Sequence, residues 1–287
     1  MLVRSKFSIL VVILLLPIGC VSVPNKVHLM SNVGVVASSN LQTCEVKNLK
    51  NNEMIGKAGL DPESIDFLNW NIYKGNGDNW QQDLSRFAES HDLMTIQEAV
   101  LGNELTALLD RHDFNWVMNT AFHLNGSASG VMTVADAAAV HSCGFHIKEP
   151  LIRIPKATLI SYYTIKGSDE KLLVANIHGI NFTLGLNAYR RQLTKLYEAV
   201  KHHQGPMIVA GDFNSWSQDR LAEVKQLVRD LSLTELEYSV NNKTHIFGHA
   251  IDHVFYRKLE ILSETVWQVS SSDHNPISVS FRVQSEI

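Results

Sequence analysis

The chain contains six short polar motifs whose side chains are of the types that hydrolytic enzymes and metal sites commonly use. They are NWNIYKG at 69–75, IQE at 96–98, NIHGINF at 176–182, GDFNSW at 211–216, IDHVFY at 251–256 and SDHNP at 272–276. Asp212 and Asn214 stand two apart in GDFN, so in an extended segment both would point the same way and could address one phosphate and its attacking water. Asp273 and His274 place a carboxylate beside an imidazole that can take a proton near neutral pH. The oxygen donors of the six motifs are Asn71, Glu98, Asp212, Asn214, Asp252 and Asp273, and their histidines are His178, His253 and His274.

The oxygen-rich donor set favours Mg²⁺ or Mn²⁺ over zinc, because hard cations prefer oxygen ligands. Each residue alone also has a structural interpretation. Asn71 could satisfy backbone groups at a turn, and Glu98 could begin a helix. His178 could be a core histidine, and Asp252 could pair with a surface lysine. Their joint occurrence in one order along the chain favours a shared chemical site.

The motifs follow predicted strands, and ligand sites collect at strand ends, where side chains converge on a fixed backbone. Hydrophobic periodicity predicts four helices, over 78–88, from 103 onwards, over 186–203 and over 219–231. Asp78 is predicted to cap the first of them. Two sheets with helices outside fit this order best. Strands are predicted over 66–71, 93–97, 116–118, 130–135, 158–164, 172–177, 207–211, 251–256, 264–269 and 276–281.

Composition and charge exclude several classes of protein. The 287 residues are 45% hydrophobic and 19% charged, which is typical of a globular chain and not of a disordered or coiled-coil one. A formal net charge of -4 argues against a broad basic face for duplex nucleic acid. A local basic groove stays open, because five cations could line one or could be solvated on helices and loops. These cations are Lys74, Arg153, Lys156, Arg190 and Arg191.

The first twenty residues have the order of an export signal. Arg4 and Lys6 precede an apolar run over 7–16 that is too short to span a bilayer comfortably. Gly19-Cys20 resembles the lipobox of bacterial lipoproteins, which implies a membrane tether through Cys20. We therefore expect an exported protein, periplasmic or anchored to a membrane as a lipoprotein. An uncleaved anchor or a buried N-terminus in a cytoplasmic protein is the alternative.

Residues 21–60 have no sustained hydrophobic period, which predicts a tether between the signal segment 1–20 and a catalytic domain over 61–287. The three cysteines show no CxxC spacing, so neither a thiolate zinc site nor a dithiol redox motif is available. In an oxidising compartment Cys44 and Cys143 could pair, whereas in the cytosol they would be small buried hydrophobes.

The ordered motifs NWN, QE, NIH, GDFN, ID and SDH resemble those of the endonuclease/exonuclease/phosphatase superfamily of DNase I-like, metal-dependent phosphoesterases, over residues 66–281. The segments WNIYK, SGVMT, NIHGINFTLG, AGDFNSWS and DHVFYR are similar to its YafD-like bacterial branch. The resemblance implies an α/β fold of four layers, an αββα sandwich of two packed, mostly antiparallel sheets flanked by helices.

The same resemblance implies a role for each site residue. Asn71 and Glu98 would hold Mg²⁺ or Mn²⁺, with Asp273 near the same cation. His274 would be the general base that activates water, and Asp252 would orient it. The remaining roles fall to His178, which would contact phosphate or assist the leaving group, and to Asp212 and Asn214, which would orient the nucleophile and the phosphoryl oxygens.

Three functions follow for a chain that we expect to be a monomer. The first is hydrolysis of a phosphodiester, nuclease-like, with nucleic acid as one possible substrate. The second is hydrolysis of a phosphomonoester on a small molecule, or of a lipid phosphodiester as in sphingomyelinases. The third is a catalytically silent binding protein. Tyr73 and the presence of His178 depart from the abasic-site nucleases of the superfamily, which points away from repair of abasic DNA.

Overall fold

The computed structural model describes residues 21–32, 34–36, 44 and 59–284, and two large β-sheets dominate this part of the chain. Nine strands form the first sheet, which runs in the order β16-β17-β4-β5-β7-β6-β2-β3, with β1 paired to β6. Its strands are β1 (Val21–Ser22), β2 (Leu29–Ser31), β3 (Gly34–Val36), β4 (Ile65–Asn71), β5 (Leu93–Leu101), β6 (Asn115–Leu124), β7 (Ser127–Ala135), β16 (Leu259–Val266) and β17 (Ile277–Val283).

The second sheet has six strands in the order β12-β15-β11-β10-β9-β8. A separate hairpin of two short strands, β13 (His245–Ile246) and β14 (His249–Ala250), precedes β15. The six strands are β8 (His141–Lys148), β9 (Pro155–Thr164), β10 (Lys171–His178), β11 (Met207–Asp212), β12 (Thr234–Glu235) and β15 (Asp252–Arg257).

Four helices cover the outer faces of the sheets: α1 (Trp80–Ala88), α2 (Asn103–Arg111), α3 (Asn187–Val200) and α4 (Gln218–Asp230). One apolar cluster joins α1 and α2 to the nine-stranded sheet. A second cluster joins α3 and α4 to the six-stranded sheet. A third cluster lies between the sheets, with side chains such as Phe67, Val174 and Phe281. These layers confirm the predicted αββα sandwich with mostly antiparallel sheets.

Two parallel strand pairs interrupt the antiparallel order of the described strands, namely β4 with β5 and β10 with β11. The carboxyl ends of parallel strands meet at one edge of a sheet. Gly211 permits the second pair, because a Cβ at this position, where φ is +147°, would lie 2.0 Å from the Ile177 carbonyl oxygen. Any larger residue would push β10 and β11 apart, so the glycine holds His178 opposite Asp212.

Several local expectations differ from the structure. Asp78 does not cap the first helix, which begins at Trp80 after Asn79, a residue in the left-handed conformation with no side-chain cap bond. The strand β8 has no counterpart in the prediction, because its sequence combines His, Ser, Cys and Gly without a clean alternation. The predicted strand 264–269 lies instead at Leu259–Val266.

The part of the predicted tether that the structure describes includes residues packed on the domain. Strand β2 pairs with β6, and Leu29 is fully buried. Cys44 is also buried and forms a disulfide with Cys143 of β8. The predicted signal segment 1–20 lies outside the described residues. Within the described ranges, no helix has the length and hydropathy needed to cross a membrane.

Candidate active site

The ends of four central strands meet at one edge of the sandwich and carry four of the eight predicted site residues. Asn71 ends β4, His178 ends β10 and Asp212 ends β11. Asp252 opens β15 directly opposite Asp212, because β15 runs antiparallel to β11. The strand order therefore collects on one edge residues that lie up to 181 positions apart between Asn71 and Asp252.

Asp252 and His274 form a close pair of a carboxylate and an imidazole. Nδ1 of His274 lies 2.8 Å from Oδ2 of Asp252, and an ionised carboxylate can only accept, so Nδ1 donates. The backbone of the histidine is also held, because Trp70 Nε1 donates to its carbonyl oxygen over 3.0 Å. The ring is thereby oriented with Nε2 on the side of Asp212 and Asp273.

The charges around His274 act on its pKa in opposite directions. Burial of the ring lowers the pKa, but the carboxylates of Asp252, Asp212 and Asp273 raise it more, to about 10. Nε2 lies 4.0 Å from an oxygen of Asp212 and 4.0 Å from one of Asp273. In this arrangement the ring is an imidazolium at neutral pH.

Asp212 accepts three hydrogen bonds within the site. Its Oδ2 accepts from Asn71 Nδ2 at 3.1 Å and from Asn214 Nδ2 at 3.2 Å, and its Oδ1 accepts from the Asn214 amide at 2.9 Å. Burial raises its pKa to about 6; His274 opposes the shift and Asp252 adds to it. A carboxyl group with this pKa can exchange a proton near neutral pH.

Glu98 faces the same space from β5 in an unusual backbone conformation. Its φ is +54° at an irregularity in the pairing of β5 with β7. Tyr73, Lys74 and Asn214 also have positive φ. Non-glycine residues with left-handed backbones cluster at active sites, where the surrounding structure offsets the strain. The carboxylate pairs with the Lys74 ammonium and lies 3.8 Å from His178 Nε2.

Lys156 is a site residue whose role the sequence did not distinguish. Its Nζ lies 2.5 Å from Nε2 of His178, which is also 3.4 Å from Asp212 Oδ2. Burial lowers the pKa of His178 well below its usual value, and Lys156 lowers it further. The imidazole is therefore neutral and accepts at Nε2 from the lysine. The sequence alone carried no signal for this contact, because it depends on the pairing of β9 with β10.

Arg220, buried in α4, positions the loops that follow β10 and β11. Its guanidinium donates to the carbonyl oxygens of Ile180, Asn181 and Asn214 over 2.6 to 2.9 Å. The same group stacks on the ring of Trp216, 4.1 Å from its centre. No local pattern marks this arginine, because its partners are backbone carbonyls of distant segments.

Two of the residues in the motifs lie apart from this cluster. Asp273 is at its rim with 57% of its side chain exposed, and burial of the remainder raises its pKa. His253 contacts residues outside the cluster. Its Nε2 lies 2.8 Å from Ser215 Oγ, its Nδ1 lies 3.4 Å from Glu235, and its ring stacks on Phe255.

The donor set is compatible with a hard divalent cation. In residues 59–284 and the shorter described ranges before them, no three or more His, Cys, Asp and Glu side chains cluster closely enough to hold a metal by themselves. Mg²⁺, however, usually binds one or two carboxylates and keeps several waters. Glu98 already neutralises a cation here, the ammonium of Lys74. The predicted oxygen ligands Asn71, Glu98 and Asp273 therefore fit such an ion by their chemistry.

A pocket of about 190 Å³ opens beside Glu98, Lys156 and His178. Its lining combines charged groups with apolar side chains; Ile152 and Phe182 are about half exposed, whereas Val131 and Ala157 are buried. Glu149 also lines it, fully buried, with Oε1 accepting from the amides of Asn181 and Phe182. The apolar lining residues are Ala121, Phe122, Val131, Ile152, Ile154, Pro155, Ala157 and Phe182.

Comparison with known proteins places this site in a family. The sequence profile of the endonuclease/exonuclease/phosphatase family matches residues 68–274. A UPF0294 protein of Vibrio campbellii is 38% identical over 269 residues, which are 92% of this chain and 92% of that protein. The residues that the family profile matches include residues of all six motifs and strands of both sheets of the sandwich.

Solved structures share the fold at low sequence identity. The catalytic domain of human Nocturnin with bound sulfate superposes with a TM-score of 0.59 and 17% identity, over 79% of this chain and 97% of that one. A mannosyl-6-phosphatase of Bacteroides thetaiotaomicron has a TM-score of 0.58 and 18% identity, over 76% and 99% of the two chains. At these identities the likeness shows the sandwich fold alone.

Proposed function

The chain belongs to the endonuclease/exonuclease/phosphatase family, whose members are phosphoesterases, and we propose that it hydrolyses phosphodiesters with the help of a divalent metal ion. The observation that carries this proposal is the Asp252–His274 pair, which opens onto Asp212. A carboxylate, an oriented imidazole and a second carboxylate at one strand edge are the groups needed to activate water. No covalent nucleophile is required.

The residues of the site divide the work of hydrolysis. His274 Nε2 would take a proton from the attacking water while Asp252 holds the ring through Nδ1. Asp212 and Asn214 would orient the water and the phosphoryl oxygens. Lys74 and Lys156 place two ammonium groups beside the pocket, where they attract a phosphate. His178, unprotonated at Nε2, holds Lys156 in position.

Glu98, Asn71 and Asp273 would hold Mg²⁺ or Mn²⁺. The ion, when bound, would neutralise charge that develops on the phosphoryl oxygens. His274 must be neutral to act as a base, and its raised pKa opposes this in the metal-free site. Neutralisation of Asp212 and Asp273 by any cation removes part of the field that keeps the ring charged.

A lipid phosphodiester is the second candidate substrate, and the pocket favours it. Much of its lining is apolar, with Phe122, Val131 and Phe182 among the residues, so the alcohol group of the ester would be largely apolar. A phosphomonoester on a small molecule stays open as well, because the mannosyl-6-phosphatase has the same fold. A nucleic acid substrate would need a basic groove, and a silent binding protein would not need the intact Asp252–His274 pair.

We also propose export from the cytoplasm. The buried Cys44–Cys143 disulfide supports it, since disulfides persist in oxidising compartments. The signal-like order of residues 1–20 supports it independently. Cell fractionation with a Cys20→Ser variant tests the predicted lipid tether, because only the lipidated protein should need detergent for its release from the membrane fraction.

Release of the aryl alcohol from an aryl phosphodiester and from an aryl phosphomonoester, each with and without Mg²⁺, tests the activity. The full chain should hydrolyse the diester only with the metal, and His274→Ala should reduce turnover at least about a hundredfold. Turnover of the monoester alone would select the phosphatase. Wild-type turnover by His274→Ala would overturn the assignment of the base.

A further inference from the structure

Large apolar side chains are exposed to solvent on three loops at and beside the pocket. Five of them form what we call the apolar rim: Leu151 (56% exposed), Ile152 (45%), Phe182 (50%), Leu184 (86%) and Phe247 (84%). Single exposed apolar residues are ordinary on protein surfaces, but a group around one opening marks a binding surface. The rim therefore requires an explanation that core packing does not give.

Hydrogen bonds and ring contacts join the three loops that carry the rim. The Leu151 amide donates to the carbonyl oxygen of Phe182 over 3.4 Å. Beside Phe182, the Asn181 side chain accepts from Trp216 Nε1 over 2.9 Å. The Trp216 ring in turn contacts Phe247 edge-on, with the ring centres 6.0 Å apart. The rim is thus one continuous surface, and Ile152 and Phe182 belong to both the rim and the pocket.

The loops beneath the rim are braced by Glu149. Its Oε1 accepts from the amides of Asn181 and Phe182, and its carbonyl oxygen accepts from the Arg153 amide over 2.9 Å. The carboxylate therefore ties the loop at 149–153 to the loop at 181–182. A fixed apolar surface binds with less loss of conformational entropy than a mobile one.

The charges next to the rim are positive, although the whole chain has a net charge of -4. Lys148 and Arg153 are exposed in the segment 148–156, and Arg190 and Arg191 are exposed in the segment 179–191. Glu149 is the one acidic residue in these two segments, and it is buried. Arg190 pairs with Glu223 of α4, so three of the four cations remain to attract an anionic partner.

We propose that the apolar rim docks on the surface of a phospholipid bilayer that contains anionic lipids. Apolar side chains at loop tips insert at the boundary of headgroups and acyl chains, and flanking cations bind anionic headgroups. Docking of this face turns the mouth of the pocket toward the bilayer. A phosphate ester at the membrane surface then reaches Lys156 and His178 directly; this consequence rests on the proposed function, whereas docking itself does not.

A fluorophore on the rim tests the docking in the full chain. In a Cys20→Ser background the other two cysteines are paired, so Leu184→Cys provides one thiol for an environment-sensitive dye. Leu262→Cys is the matched control, an exposed leucine on strand β16 outside the rim. With vesicles of phosphatidylcholine and phosphatidylglycerol in equal parts, the dye at 184 should shift to the blue and the dye at 262 should not.

The control also separates docking from attachment through the N-terminal segment. If residues 1–20 alone bring the protein to the vesicle, the protein sediments with it while both dyes report water. That result would overturn the proposal, and so would a failure to bind the vesicles at all.

Substitution of rim residues that do not line the pocket gives a second readout. The double variant Leu151→Ser, Leu184→Ser should have an affinity for these vesicles at least tenfold lower than that of the wild type. The Leu262→Ser variant should have the affinity of the wild type. Hydrolysis of a soluble substrate should be the same in all three proteins, which distinguishes a failure of docking from a failure of the catalytic proposal. Undiminished vesicle contact in the double variant would contradict the docking, as would a dimer of the wild type that the double variant converts to a monomer.

Discussion

Nδ1 of His274 lies 2.8 Å from Oδ2 of Asp252, while Nε2 on the other side of the ring lies 4.0 Å from Asp212. One imidazole is thus enclosed by carboxylates on both edges, with Asp273 as a third. This arrangement raises the pKa of the ring to about 10 although burial opposes the shift. The proposed base is consequently charged at rest, and something must lower its pKa before it can accept a proton.

Mg²⁺ should lower the pKa of His274. The ion would neutralise the carboxylates whose field favours the imidazolium, so the charged ring would become less stable. An NMR titration of the His274 ring signals with and without Mg²⁺ measures the effect, with His274→Gln to assign them. A titration that the metal does not move would count against a metal site next to this ring.

The Asp252–His274 pair should make stability depend on pH in the alkaline range. The folded pKa of about 10 lies above the usual histidine value of 6.5, so the stabilisation is complete below pH 6.5 and is lost as the pH rises through 10. We expect the pair to contribute roughly 2–4 kcal/mol at neutral pH. Urea unfolding in metal-free buffer should show that the difference between wild type and His274→Gln shrinks from pH 6 to pH 10.5. An unchanged difference would contradict a raised folded pKa.

Hydrophobic periodicity predicted two sheets with helices outside and the strand end at Asn71, because it is a local signal, whereas the four-layered αββα order came from the resemblance to the family. The contact of Lys156 with His178 could not be predicted in the same way. It depends on the register of β9 against β10, in which Thr158 lies opposite Ile177, and a register is set by the whole sheet. The sequence alone therefore did not distinguish Lys156 from the other four cations that could line a basic groove.

The N-terminal region shows a different reason for missed structure. The residues around Leu29 have no sustained period, so they predict a tether, yet their short strands add to the edge of an existing sheet. An edge strand of two or three residues takes its hydrogen bonds from its neighbour and needs little pattern of its own. The Cys44–Cys143 bond likewise joins segments 99 residues apart, and only the folded domain brings them together.

Glu98→Gln should weaken the dependence on Mg²⁺ because an amide is a poorer ligand for a hard cation than a carboxylate. Activity should require a metal concentration at least about tenfold higher, a loss typical of changed ligation. Glu104→Gln is the matched control, an exposed glutamate of α2 that accepts from Gln81. If the Mg²⁺ titration of Glu98→Gln follows that of the control, Glu98 is not a ligand.

Reduction of the Cys44–Cys143 disulfide should destabilise the domain. The bond closes a loop with a sequence separation of 99, and loops of this length restrict the unfolded chain strongly. Loss of the bond should lower the free energy of unfolding by about 2–5 kcal/mol. Urea unfolding with and without a reductant measures the change, and a Cys44→Ser variant, which lacks the bond in both conditions, is the control. Equal stability of oxidised and reduced wild type would exclude a constraining disulfide.

Lys156→Met should weaken substrate binding more than it slows the chemical step. The ammonium lies against His178 in the lining of the pocket, where it would attract a phosphate in the ground state and the transition state alike. We expect KM to rise about tenfold or more, since an interaction with a charged group contributes about 1.5–3 kcal/mol. Lys148→Met, at an exposed lysine of the adjoining segment, is the control for a loss of positive charge alone. An equal rise of KM in both variants would show that long-range attraction, and not a contact within the pocket, accounts for the effect.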